Sequence, residues 1–181
     1  MQYTAEAKLK DGRALLLKSG GANDGEASLE VFIKTHRETD FLLAYPDEIS
    51  YTAEQQGKFL QKKYDNPREI ELIAYVDSKP VGLAGLDAKG SRYKLSHRVE
   101  LGVCVCRDYW GLGIGRALCE ACIECARQAG YRQIELEVSA ENTAAIILYK
   151  KLGFIEYGRN PQGFFCRDRG AVAMVEMLKE L

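Results

Sequence analysis

One stretch constrains the fold more than any other: Val103-Cys104-Val105-Cys106-Arg107-Asp108-Tyr109-Trp110-Gly111-Leu112-Gly113-Ile114-Gly115-Arg116-Ala117-Leu118. It opens as an apolar strand, passes through alternating glycines and continues as a helix. From Ile114 the apolar positions Ile114, Ala117, Leu118, Ala121, Cys122 and Cys125 recur with the period of an amphipathic helix. Gly130 stands where a C-cap glycine ends such a helix, and residues 134 to 138 read as the next strand. A strand, a crossover helix and another strand predict an α/β sheet with at least one parallel pair.

The flanking sequence extends that sheet on both sides. Ala5 to Lys10 and Arg13 to Lys18 read as a hairpin around Asp11-Gly12. Asn23 or Asp24 can cap one helix, and Tyr51-Thr52-Ala53-Glu54 looks like the capped start of a second. Residues 70 to 76 and 80 to 86 form a second hairpin pattern, and a longer strand runs from about Leu95 to Cys106. Thr143 to Leu152 reads as a helix ended by Gly153, with final strands at Phe154 to Tyr157 and Ala171 to Leu178. The predicted order is ββ-αα-βββ-α-β-α-ββ, with helices on both faces of the sheet.

No repeat, low-complexity tract or linker divides the 181 residues, and 46% hydrophobic content suffices for one core, so a single domain over 1–181 is expected. With 25 Lys and Arg against 26 Asp and Glu, the chain has no overall field for nucleic acid or an anionic membrane. Its apolar runs fall far short of the roughly 20 residues of a membrane span. The start of the chain lacks the pattern of a signal peptide, which makes a cytoplasmic location the expectation and leaves the six cysteines as thiols.

Glycines at 111, 113 and 115 allow a tight turn whose N–H groups approach a ligand, and the helix start adds a positive dipole end. That combination is a pyrophosphate cradle. A dinucleotide fingerprint would need glycine at 116, where Arg116 stands, and the Gly-Lys-Ser/Thr of a P-loop never occurs. The segment Trp110-Gly111-Leu112-Gly113-Ile114-Gly115 instead resembles motif A of the GNAT superfamily of N-acetyltransferases, Arg/Gln-x-x-Gly-x-Gly/Ala, with Trp110 departing at the first position. Asn142 to Phe154 is similar to a second family segment, Asn-x-x-Ala-x-x-x-Tyr-x-x-x-Gly-Phe.

This resemblance covers about residue 70 to the C-terminus and implies a GNAT fold: a mixed central sheet of about seven strands, about four helices on both faces, and a splayed strand pair at the cofactor site. It implies acetyl-coenzyme A as cosubstrate, with no metal, and direct transfer of acetyl to a primary amine of a small molecule or a protein. Val103 and Val105, flanking Cys104, would pair with the pantetheine arm. Gly111, Leu112, Gly113, Ile114, Gly115 and Arg116 would hold the pyrophosphate, and Asn142 would hydrogen-bond the cofactor. Pairing of family members through C-terminal strands implies a homodimer. The alternatives are another acyl-coenzyme A donor, or a non-catalytic coenzyme A-binding sensor.

The chemistry sets further requirements. An amine with a lysine-like pKa of about 10.4 must lose a proton before it attacks a thioester. The developing oxyanion needs an N–H, which a splayed strand at Val103 to Val105 offers, and the departing sulfur needs a hydroxyl donor. Tyr149 fits the donor role, and Glu100 is the candidate base, against a plainer reading as a carboxylate paired with Arg98 or solvated. His97 is a candidate relay, against a plain polar residue at a strand start, and Asn142 reads equally as an N-cap. Arg107, Arg116 and Lys150 flank the site.

Cys104 and Cys106 raise an acyl-cysteine route that lacks an activating histidine and carboxylate. Cys119, Cys122 and Cys125 drift about 60° per step around one helix, so they cannot converge on one ion. Residues 38 to 46 and the loop from Gly158 to Gly170 are the candidate walls of the acceptor pocket.

Overall fold

The computed structural model describes all 181 residues. The chain runs β1 (Thr4–Lys8), β2 (Ala14–Ser19), α1 (Gly25–Glu38), α2 (Ala53–Asp65), β3 (Ile70–Val76), β4 (Lys79–Ala88), β5 (Arg98–Val105), α3 (Ile114–Gln128), β6 (Gln133–Ser139), α4 (Thr143–Lys151), β7 (Ile155–Cys166) and β8 (Gly170–Glu180). Eight strands, against the expected seven or so, form one sheet in the order β1-β2-β3-β4-β5-β6-β8-β7. Every pair is antiparallel except β5–β6, which the α3 crossover makes parallel.

Local chemistry accounts for the element boundaries. Thr52 accepts a hydrogen bond from the Gln55 amide while the Gln55 side chain reaches back to the Thr52 N–H, a capping box that starts α2. Asp24 stands at the N-cap position of α1, yet its carboxylate accepts from Lys18, Tyr75 and the Gly21 N–H instead of capping the helix. Gly130 takes φ +75° after α3, and the Tyr131 N–H returns to the Ala126 carbonyl, which closes the helix end as expected. α1 and α2 cross at two glycines: a Cβ on Gly25 would collide with the Ala53 carbonyl, and one on Gly57 with that of Ala22.

One core of 28 buried residues fills the α3 face, joining Leu72, Leu86, Val99, Leu101, Ile134, Leu136, Val175 and Met177 of the sheet to Ile114, Leu118, Cys122 and Cys125 of α3. α1 and α2 cover the other face over β3 and β4 through Val31, Leu60, Ile73 and Leu83. No helix is long and apolar enough to cross a membrane.

The largest departure from the sequence reading lies near the C-terminus, where the loop expected over 158–170 is mostly strand. β7 occupies the sheet edge, and register shifts between Glu156 and Gly158 and between Asn160 and Phe164 leave Tyr157 and the segment Pro161 to Gly163 out of the ladder. An edge tolerates a proline that a central ladder would not. A short turn at Tyr93–Leu95 likewise delays β5 to Arg98.

Candidate active site

β5 pairs with β4 along its length, from Val99↔Ala88 to Val105↔Gly82, but with β6 only at Arg98↔Gln133, Val99↔Ile134 and Glu100↔Glu135. Beyond Glu100 the two strands part. The Cys106 N–H donates to the Val81 carbonyl, so by alternation Val103 and Val105 turn their N–H and C=O groups away from β4, into the gap. Trp110 fills part of it: its indole Nε1–H donates to the Val105 carbonyl at 2.6 Å. Val103 thus offers both backbone groups to a ligand and Val105 only its N–H. The departure at motif position 110 therefore does more than remove a polar side chain.

The glycine turn sits at the mouth of this gap. Gly111 and Gly113 take φ +77° and +99°, which L side chains rarely adopt, while Gly115 is helical. No side chain caps α3, and the N–H groups of residues 111 to 116 have no backbone acceptor. Such a row of free donors at a helix N-terminus fits a pyrophosphate. Leu112 alone of the predicted set turns away: it packs against the core, and its carbonyl lies 3.4 Å from the Lys10 N–H. That contact docks the β1–β2 turn on the loop and puts Lys10 beside the cleft.

Turn and gap open into one cleft of about 550 Å³, lined mainly by apolar groups. Val103, Cys104, Val105, Gly111, Gly113, Ile114, Gly115, Arg116, Asn142 and Tyr149 all line it, so all but two of the predicted site residues come together. Asn142 is the N-cap of α4, its Oδ1 accepting from the Ala145 N–H, which leaves its Nδ2 hydrogens free. Tyr149 is 8% exposed, and burial pushes its hydroxyl pKa up, so the group stays protonated. Burial raises the Cys104 thiol to about 12, which keeps it an un-ionised wall group. Thr35 of α1 and Thr39, Phe41 and Leu42 after it complete the cleft, the last three lying within residues 38 to 46.

Glu100 is the second predicted residue outside the cleft. It sits where β5 and β6 are still paired, and its carboxylate accepts from Lys89 Nζ at 2.9 Å. The expected partner Arg98 instead grips Glu135, with Nε–Oε1 at 2.5 Å and Nη2–Oε2 at 2.7 Å. His97 precedes β5 at the same closed end, away from the cleft. Glu137, which the sequence analysis did not single out, is exposed and forms no ion pair; continuing the β5–β6 register puts it opposite Gly102 on the Cys104 face, and like Glu100 it stands outside the cleft lining. The alternation Ile134-Glu135-Leu136-Glu137-Val138 carried that signal. No group of three or more His, Cys, Asp or Glu side chains is arranged to hold a metal.

A mixed sheet opened at one parallel pair, with a free N–H row at the opening, defines a class of cofactor-binding α/β domain. The acetyltransferase (GNAT) family matches residues 32–154, and the chain belongs to that family. It is 33% identical over 136 residues to an uncharacterized N-acetyltransferase of Methanocaldococcus jannaschii, covering 74% of this chain and 58% of that protein. The chain thus spans a little over half the length of that relative. Among solved structures it resembles a GNAT-family acetyltransferase of Streptococcus pneumoniae, with TM-score 0.88 and 28% identity over 92% of this chain and 99% of that one. It shares its fold with a putative acetyltransferase of Salmonella typhimurium, solved with its cofactor acetyl-CoA, at TM-score 0.82 and 20% identity over 92% and 94% of the two chains.

Proposed function

We propose that the chain is an N-acetyltransferase that binds acetyl-coenzyme A in this cleft and transfers the acetyl group directly to a primary amine within a ternary complex. The observation that carries this reading is the continuous path from the free N–H row at Gly111–Arg116, past the unpaired backbone of Val103, to the Tyr149 hydroxyl. When bound, acetyl-coenzyme A supplies a thioester carbonyl open to attack by the amine.

The residues divide the work by position. The 111–116 amides hold the pyrophosphate, and Lys10 and Arg116 stand beside it. Val103 and the Val105 N–H hydrogen-bond the pantetheine arm, with Asn142 Nδ2 on the opposite wall. Tyr149 holds a proton for the departing sulfur, and burial keeps that hydroxyl in its protonated form. The amine enters from the α1 face past Thr35 and Phe41. We move the proton-accepting role from Glu100, which is held by Lys89, to the unpaired Glu137. The exposed Ile155 and Tyr157 on edge strand β7 supply the surface for the homodimer.

Two measurements test this reading. Trp110 is the only tryptophan and lines the cleft, so acetyl-coenzyme A should change intrinsic fluorescence saturably. Chromatographic detection of coenzyme A released against a panel of amines, amino acids and peptides should then show amine-dependent turnover. A saturable fluorescence change without release under any amine would overturn the transferase in favour of a binding module.

A further inference from the structure

At the end of the molecule opposite the cleft lies a second depression, of about 660 Å³. Three chain segments build it: the α2–β3 connection through Arg68, the turn before β5 through Tyr93, Lys94, Ser96 and His97, and the end of α3 through Ala129, Gly130 and Arg132. Arg68, Lys94 and Arg132 line it together, none of the three forms an ion pair, and no Asp or Glu is in the lining. Elsewhere Arg13, Arg98, Arg116, Arg159, Arg167 and Arg169 hold carboxylates while Arg37, Arg92, Arg107 and Arg127 form no ion pair, so what sets this place apart is that three unpaired cations line one concavity.

Arg68 is fixed in place. Its guanidinium lies 4.3 Å from the centre of the Tyr131 ring, and Nη2 donates to the Ser96 carbonyl at 2.6 Å, which leaves Nη1 with no protein acceptor. Basic side chains near a helix C-terminus often serve only the dipole. Here the basic residue in the last turn of α3 is Arg127, which is not in the lining, while Arg68 and Lys94 come from other elements. Three unneutralised cations converging on one concavity, with the 93% exposed Tyr93 ring at its rim, form a receptor for negative charge.

We propose that this depression binds a small phosphate-bearing anion, at a site separate from the acyl-coenzyme A cleft. α3 spans the distance between the two, about 22 Å for its 15 residues.

The test is a titration of the full chain with sodium pyrophosphate, followed by amide resonances in ¹H–¹⁵N NMR spectra, with coenzyme A present to occupy the cleft. Saturable shifts are expected at Ser96, His97, Gly130 and Arg132. They should require roughly tenfold more pyrophosphate in the double variant Lys94→Gln, Arg132→Gln, whose changes lie on exposed side chains. Shifts that grow without saturation, that sodium chloride reproduces at equal ionic strength, or that persist unchanged in the double variant would overturn the site. So would a short single-stranded RNA that moves the same amides at lower concentration. Residue-by-residue readout keeps this separate from the proposed function: if coenzyme A does not bind, pyrophosphate shifts at 111–116 reveal it while Gly130 and Arg132 still report on the depression.

Discussion

The two ends of the β5–β6 pair contain the same two strands and behave oppositely. At the first end three residue pairs are in register, and Arg98 closes a bidentate grip on Glu135. At the second, from Leu101 to Val105, β5 has no partner on that side and the cleft begins. The difference comes from the outer neighbours. β5 follows β4 over seven register pairs and β6 follows β8 over seven, all antiparallel, so two stable ribbons meet along only three parallel pairs. Sheet twist then carries the ribbons apart from the point where they are pinned. The cleft is the consequence of unequal strand pairing, held open rather than cut out of the core.

Breaking the open end at its chemistry should give the largest effect. Tyr149→Phe removes the hydroxyl and keeps the packing against Phe154, so kcat should fall by about 100-fold or more while the fluorescence-derived acetyl-coenzyme A affinity stays within about twofold. Equal losses in both quantities would refute the proton-donor role.

Breaking the closed end should act on stability instead. Arg98→Met leaves Glu135, only 2% exposed, without its cation and should cost about 3 kcal/mol in denaturant unfolding. The same pair sets a pH dependence. Hydrogen bonds from Arg98 hold the Glu135 carboxyl below the usual carboxylate range. Its contribution is therefore complete above the unfolded value of about 4.3 and is lost as pH falls through the lower folded value. Glu135→Gln should flatten that acidic limb of the stability curve, and an unchanged limb would place the dependence elsewhere.

Smaller changes sharpen the contrast. Gly113 has φ +99° with open space where a Cβ would stand, so Gly113→Ala imposes backbone strain of about 1–2 kcal/mol without a clash. The expected outcome is roughly tenfold weaker cofactor binding by fluorescence titration, since the N–H row must shift to relieve that strain. Glu100→Gln should matter least. Its ion pair with Lys89 is partly exposed, so kcat and stability should both stay near wild type, within about 1 kcal/mol in unfolding. A large fall in kcat would return the base to Glu100 and displace Glu137.

Much of this was legible in the chain itself. The glycine spacing at 111–115 and the stripe from Ile114 to Cys125 located the turn and α3, because backbone conformation and helical burial are local consequences of residue type. Asn142 and Tyr149 were legible because they sit at fixed offsets on one short helix. β7 was not, since Gly158, Asn160 and Pro161 read as breakers until an edge position and two bulges accommodate them. Glu100 was misplaced for a similar reason: alternation gave its face, but where β6 parts from β5 depends on residues far away in the sequence.

By itself, then, the sequence determined the strand–turn–helix unit, the free donors at its turn and the family to which those motifs belong, all properties of short contiguous segments. Only the tertiary structure decided that Trp110 occupies the Val105 carbonyl, that Arg98 takes Glu135 and leaves Glu100 to Lys89, and that three separate basic residues share one depression. Those choices rest on contacts between distant segments, which pairing register and sheet twist set when the ribbons assemble.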